Sequence, residues 1–467
     1  MNKKSTFALF FGSRGTFPAA LIAEARSQMS AALAKLGHKC ILLDETATKL
    51  GAVESTAEGK IYAEFLRQQS GLYQGVILCL PNFGSEGGVI EALKDVNVPV
   101  LVHAYPDELD KMATATRRDA FCGKFAVLNL LCQFGVKFTA LEPHAVHPDS
   151  PEFAANVDHF DRVCRTVNGL KNFTVGSIGA RTTSFKAVRY DEVALQKHGI
   201  TVETLDLSDV FSRMEATTAE DEAVKSKLIM FRDYVSWKGV PDKAMLDIAR
   251  LGVVMDQIVA EYGLNALALR CWVEIQQKLG ISPCTVISEL NERGVSSACE
   301  VDVCSAVTMR ALQCAADSVA TNLDWNNNYG TEEDKCILFH CGPVPQSLMA
   351  AKGRVADHEL LVSTLGKGRS WGCNVGRIKA MDMTFSGMQT VDGKLRFYIG
   401  EGRITADVIP GAFFGCAGVA EIPGLQTVLR TIGRQGHRHH TCLVEGKVAD
   451  AVAEALEVYL GCDVVRV

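Results

Sequence analysis

The chain has 467 residues, enough for two or three domains with sizeable cores. Hydrophobic residues make up 48% and charged residues 22%, the balance of an ordinary globular protein and not of a disordered one. A formal net charge of -6 without a long basic run argues against electrostatic capture of nucleic acid or an anionic membrane.

No apolar stretch reaches the ~18 residues of a membrane-crossing helix, so none is expected. Residues 5–11 form a short apolar run ending in Gly12-Ser13-Arg14-Gly15. That reads as a first strand and its loop, since a secretory signal needs a longer apolar core and a cleavage site. Sixteen cysteines lack the dense spacing of a disulfide scaffold, and many sit in apolar segments. Reduced thiols in a cytoplasmic protein are expected, with no structural zinc motif.

The first third alternates strand and helix patterns: a strand at 7–11, a helix at 19–36, strands at 40–43, 75–80 and 98–104, and a helical segment around 89–93. Short apolar strands alternating with helices predict a parallel sheet covered on both faces. The loops 12–15 and 82–88 follow strands, where function often lies. Each reads as a glycine-rich turn or a substrate-contacting loop, and neither carries a dinucleotide fingerprint, so no nucleotide cofactor is expected. A second α/β unit begins near Phe173, with strands at 173–179, 202–205 and 336–339 and amphipathic helices over 217–287. A boundary is expected near 346–355. Residues 382–408 then alternate apolar and polar around Asp392-Gly393, a hairpin signal. The last unit therefore reads as β-rich, closing with a helix at 448–459 and a strand at 463–467. The domain plan is 1–170, 171–350 and 351–467.

Four places could carry chemistry. Glu274 lies in an apolar segment, where a carboxylate needs either an ion pair or a metal. Glu300-Val301-Asp302 sets two acids two apart, on one side if the segment is a strand; Asp302 also precedes a helix start and suits an N-cap. His340 ends a strand before Cys341-Gly342-Pro343. Gly436-His437-Arg438-His439-His440 gathers three histidines within four residues, as either an exposed basic loop or a source of metal ligands. Carboxylates with a neutral imidazole suit Mn²⁺ or Mg²⁺ better than a structural zinc ion.

Several segments resemble the L-fucose isomerase family, in order and over most of the chain. They are Arg117-Arg118-Asp119-Ala120-Phe121-Cys122-Gly123-Lys124, Gly179-Ala180-Arg181-Thr182-Thr183-Ser184-Phe185, Tyr190-Asp191-Glu192, Asp324-Trp325-Asn326-Asn327-Asn328-Tyr329 and Phe339-His340-Cys341-Gly342. The resemblance implies two Rossmann- or flavodoxin-like α/β domains followed by a β-rich C-terminal domain. It implies a metal-dependent aldose–ketose isomerase working through a cis-enediol(ate), with Mn²⁺ as cofactor and Mg²⁺ or Co²⁺ as substitutes. By the same resemblance, Glu274, Asp302 and His440 would hold the metal, Glu274 and Asp302 would also move the proton, and Arg14, Arg181, Asn326, His340, Arg438 and His439 would meet the sugar. A homo-oligomer, trimer or hexamer, with a pocket shared between subunits is implied as well. L-Fucose, an arabinose or a C6-modified 6-deoxy hexose such as a sulfosugar are the candidate substrates. A non-catalytic sugar-binding or regulatory protein, and another metal-dependent sugar enzyme such as an epimerase or aldolase, are the alternatives.

Overall fold

The computed structural model describes residues 4–467. The chain is mixed α/β and divides into two compact units. One runs to Asn168 and takes in Glu454–Gly461; the other is Gly169–Ala453 with Cys462–Val467.

The first unit holds four parallel strands in the order Lys39–Leu42, Thr6–Phe11, Gly75–Leu80, Val100–Ala104. Successive side chains on a strand point to opposite faces, and both faces here are apolar. Ala8, Phe10, Val76, Leu78 and Leu80 enter one core cluster, while Phe7, Leu9, Phe11, Ile77 and Cys79 enter another. Helices cover both sides, which is why these strands read as unbroken apolar runs.

The second unit contains two sheets. The smaller is parallel, in the order Ile200–Leu205, Phe173–Ile178, Ala266–Leu269, Ser296–Ala298. The larger has nine strands and is mainly antiparallel; at its centre Lys335–His340, Ala320–Asn328 and His440–Glu445 lie side by side. The strands Ala320–Asn328 and Lys335–His340 thus belong to the β-rich sheet and not to the parallel one. A short link joins them as antiparallel neighbours, whereas a parallel pair needs a long crossover. Met381–Val391 and Lys394–Ile404 form the hairpin expected around Asp392-Gly393. Both turn residues have positive φ, 52° and 74°, as the favoured two-residue turn requires. The helix Val303–Ala316 packs across Met381–Val391 and His440–Glu445. No disulfide joins any cysteine of the described residues. No helix among them is long and apolar enough to cross a membrane.

His103, in the first unit, packs edge-on against Tyr105 and Phe153 with its Nε2 unpartnered. Burial, helped by Lys124 and His147, lowers its pKa from 6.5 to about 3. Above pH 6.5 the ring is neutral folded or unfolded and contributes no pH dependence. Between 6.5 and about 3 only the unfolded chain takes the proton, so stability falls as pH falls, by ~1.4 kcal/mol per unit from this group. Urea unfolding at several pH values in that window should show a slope shallower by about one proton in His103→Leu than in the parent. Equal slopes would contradict the assignment.

Candidate metal centre

The centre is built where the small parallel sheet and the large sheet meet within the second unit. Three of its elements follow the C-terminal ends of parallel strands: the loop at Gly179, the turn at Arg270 and the turn at Glu300. Ligands in open α/β sheets gather at those ends.

The turn after Ser296–Ala298 is unusual. Glu300 and Val301 both adopt the left-handed region, with φ of 56° and 60°. A β-branched residue there is costly, and such strain concentrates at functional sites. Because the chain turns instead of staying extended, Glu300 and Asp302 do not share a face as strand alternation would give. Glu300 Oε1 accepts from the Trp272 indole at 3.2 Å and the Cys271 thiol at 3.4 Å. Its Oε2 is buried without a hydrogen-bond partner.

Asp302 caps the helix Val303–Ala316. It accepts from the Ser305 backbone N–H at 3.1 Å and from the Ser305 hydroxyl at 2.7 Å. The same carboxylate receives Arg438 and, at 2.7 Å, His440 Nδ1. Burial opposes its ionisation, yet Arg438 and His440 outweigh it and hold the carboxyl well below the usual range. An ionised Asp302 fixes the His440 proton on Nδ1 and leaves a lone pair on Nε2, the tautomer that binds a metal.

Strand register supplies the rest. His440 pairs directly with Asp324, and Phe339, the neighbour of His340, pairs with Asp324 from the other side. His440 Nε2 lies 3.4 Å from Asp324 Oδ1 and 3.7 Å from Glu300 Oε2. His340 Nε2 lies 3.4 Å from Glu300 Oε2. The ligand atoms of Glu300, His340 and His440 fall within 4.8 Å of one another, as do those of Asp324, His439 and His440. Asp324 Oδ1 and His340 Nε2 are buried and without hydrogen-bond partners, like Glu300 Oε2. Burial raises both acids, but His340 and His440 overcome it at Glu300, whose pKa ends lowered, while Asp324 ends raised. Burial lowers His440, and the bond to Asp302 overcomes it, so its pKa ends raised.

The two buried histidines differ in tautomer. His340 Nδ1 accepts the Cys341 backbone N–H at 2.9 Å, which puts its ring proton on Nε2, facing Glu300. His440 turns a free lone pair to the same place. The residues therefore fit a divalent cation. Two unpartnered carboxylate oxygens and one imidazole nitrogen, desolvated together, call for a positive charge.

Other sequence expectations fall elsewhere. Glu274 is not brought into this group. It opens the helix Glu274–Leu279 with its side chain 39% exposed, and both oxygens bind Arg270 at 2.5 Å. The ion pair read as one of its two options is the one the fold makes. Arg438 is spent on Asp302 and the Arg189 carbonyl. Arg181 bonds the Thr182 and Phe185 carbonyls. Asn326 is exposed two residues beyond Asp324. His439 stands beside His440, near the Phe185 ring, which itself packs on Trp272. Arg14 belongs to the first unit, where it bonds Gly84 and Glu86 and covers the Phe83 ring. Asp324 and Trp272 were not singled out. The signal for Asp324 was the strand's single acid, flanked by the apolar Leu323 and Trp325.

The chain matches two family models. One is the fucose/sulfoquinovose isomerase N-terminal domain over residues 8–171, the other the L-fucose isomerase C-terminal domain over 338–467. The chain belongs to the fucose isomerase family. Among curated relatives it resembles the sulfoquinovose isomerase of Alkalicoccus urumqiensis, 29% identical over 43% of this chain and 45% of that one. It also resembles the sulfoquinovose isomerases of Priestia aryabhattai (23%, over 43% of this chain and 45% of that one) and Clostridium sp. strain MSTE9 (24%, over 67% and 69%). The chain thus spans less than half the length of the first two relatives it matches.

The two carboxylate–guanidinium pairs are expected to differ in weight. Arg438→Met strands the buried Asp302 charge and should cost ~3–5 kcal/mol in urea unfolding. Arg270→Met, which releases the half-exposed Glu274, should cost under ~1 kcal/mol. Equal losses would contradict this reading of the centre.

Proposed function

We propose that this chain is a divalent-metal-dependent aldose–ketose isomerase, with Glu300, Asp324 and His440 holding the cation. The observation that carries the proposal is the convergence of Glu300 Oε2, Asp324 Oδ1 and His440 Nε2, two of them buried oxygens with no hydrogen-bond partner. Mn²⁺ suits this oxygen-rich set, with Mg²⁺ or Co²⁺ as substitutes. The favoured substrate is a C6-sulfonated hexose, because the relatives cited carry the name sulfoquinovose isomerase. L-Fucose and the arabinoses are the competing substrates.

An aldose becomes a ketose when the C2 proton leaves and a proton arrives at C1, through an enediol(ate). When bound, the divalent cation supplies polarisation of the sugar carbonyl and stabilises the charge that develops. Glu300 and Asp324 border the same space and are the groups able to take the C2 proton and deliver one to C1. Trp272 and Cys271 grip Glu300 Oε1, so only Oε2 is presented. His340 Nε2–H is placed to donate to a sugar oxygen. Asp302 touches no substrate in this scheme; it positions His440.

Incubation of a panel of aldoses in D₂O, followed by NMR, should show ketose formation with deuterium incorporated and no C–C cleavage. Binding without turnover of any sugar would favour a sugar-binding protein instead. Glu300→Gln and Asp324→Asn should each lower kcat by ~10²–10⁴-fold, while Glu274→Gln keeps most activity. Chelation should abolish turnover and Mn²⁺ restore it. Asp302→Asn should weaken Mn²⁺ binding ~10–100-fold by equilibrium dialysis. Full activity after exhaustive chelation would contradict the proposal.

A further inference from the structure

The loop between the strand Phe173–Ile178 and the helix Glu192–Lys197 borders the metal centre, and the isomerase scheme gives it no part. It is tied to the centre's own residues along its length. The Thr182 hydroxyl donates to the Trp272 carbonyl at 3.3 Å, and Trp272 is the residue whose indole holds Glu300. The Phe185 ring stands edge-on to the Trp272 ring at 5.2 Å and lies 6.0 Å from the His439 ring. His439 Nε2 in turn is 3.7 Å from Asp324 Oδ1. Farther along, the Arg189 carbonyl accepts from Arg438 Nη2, while Arg438 Nη1 binds Asp302. Arg270 donates to the Ala180 carbonyl at 2.9 Å and fixes the near end.

The charge of this loop is one-sided. From Gly179 to Tyr190 it carries Arg181, Lys186 and Arg189 and no acid. None of the three has a carboxylate partner among the described residues. Lys186 and Arg189 are exposed, and Arg181 spends Nη1 on the Thr182 and Phe185 carbonyls while Nη2 stays uncommitted. Arg438 and Arg270, by contrast, are each committed to a carboxylate. Like charges gathered on one short loop repel one another, and a bound anion relieves that. A hexose held through C1 and C2 carries C6 at the far end of its chain. Whatever reads C6 must therefore stand at the margin of the centre, where this loop runs. Guanidinium offers paired N–H donors that match a tetrahedral oxyanion, and ammonium adds a compact charge.

Resting on the isomerase reading above, we propose that Arg181, Lys186 and Arg189 form the specificity edge of the centre and bind a tetrahedral oxyanion, sulfonate or phosphate, at C6 of the hexose. They touch neither the cation nor the reacting carbons. They set which sugar is held and not how its proton moves.

Hexitols, which cannot isomerise, separate this edge from the chemistry. The full chain equilibrated with Mn²⁺ is titrated calorimetrically with a C6-sulfonated hexitol, the hexitol 6-phosphate and the uncharged hexitol. A charged hexitol should bind ~10-fold or more tightly than the uncharged one, and the tighter of the two charged ligands identifies the source of the anion. That preference should be lost in the double variant Lys186→Gln, Arg189→Gln, with affinity for the uncharged hexitol kept, and Arg189→Lys alone should retain most of it. In the parent it should fall as ionic strength rises, a readout that does not depend on any variant folding. No preference for a charged hexitol, an equal loss for charged and uncharged hexitols in the double variant, or a preference indifferent to salt would overturn the proposal. A parent that prefers charged hexitols yet converts no aldose would instead refute the isomerase reading and leave this edge standing.

Discussion

The bond between Asp302 and His440 is the contact on which the rest of the centre depends. At 2.7 Å and fully buried, it fixes which ring nitrogen carries the proton and where the other points. Neutral imidazole alone has no preferred tautomer strong enough to do this; an ionised carboxylate at Nδ1 does. Arg438 keeps Asp302 ionised in a place where burial would otherwise protonate it. Removing any one of the three leaves an uncompensated group inside the protein, which is why the network is expected to stand or fall as a unit.

That network is made by one short stretch of chain. The left-handed pair Glu300-Val301 turns the backbone so that Glu300 faces His340 and His440 and Asp302 reaches the helix start. The helix then packs across the strand that carries His440, which brings Asp302 up to its partner. Asp324 arrives by a different route, through the antiparallel register that sets it opposite His440. An acid from a parallel-sheet turn and an acid from an antiparallel strand thus meet at one imidazole.

Much of this was legible locally and some was not. The first unit's strands could be read because a strand buried on both faces is apolar without alternation. The Asp392-Gly393 hairpin could be read because its turn needs two positive φ values that those residues tolerate. His440 stood out in a histidine cluster, and Asp302 in an acid-x-acid segment before a helix. The apolar neighbours of Glu274 suggest burial, whereas the fold leaves its side chain 39% exposed and paired with Arg270. That Glu300 turns toward His340 while Asp302 caps the helix depends on a backbone conformation rare for glutamate and valine, which periodicity cannot foresee. Asp324 owes its place opposite His440 to register between strands far apart in the chain, and register is a property of the sheet, not of any one segment.

Anomalous diffraction from crystals equilibrated with Mn²⁺ tests the central claim most directly. A peak bordered by Glu300, Asp324 and Nε2 of His440 is expected, with Asp302 still bonded to Nδ1 and outside the coordination shell. A peak beside Glu274, or manganese coordinated directly by Asp302 with His440 turned away, would contradict it.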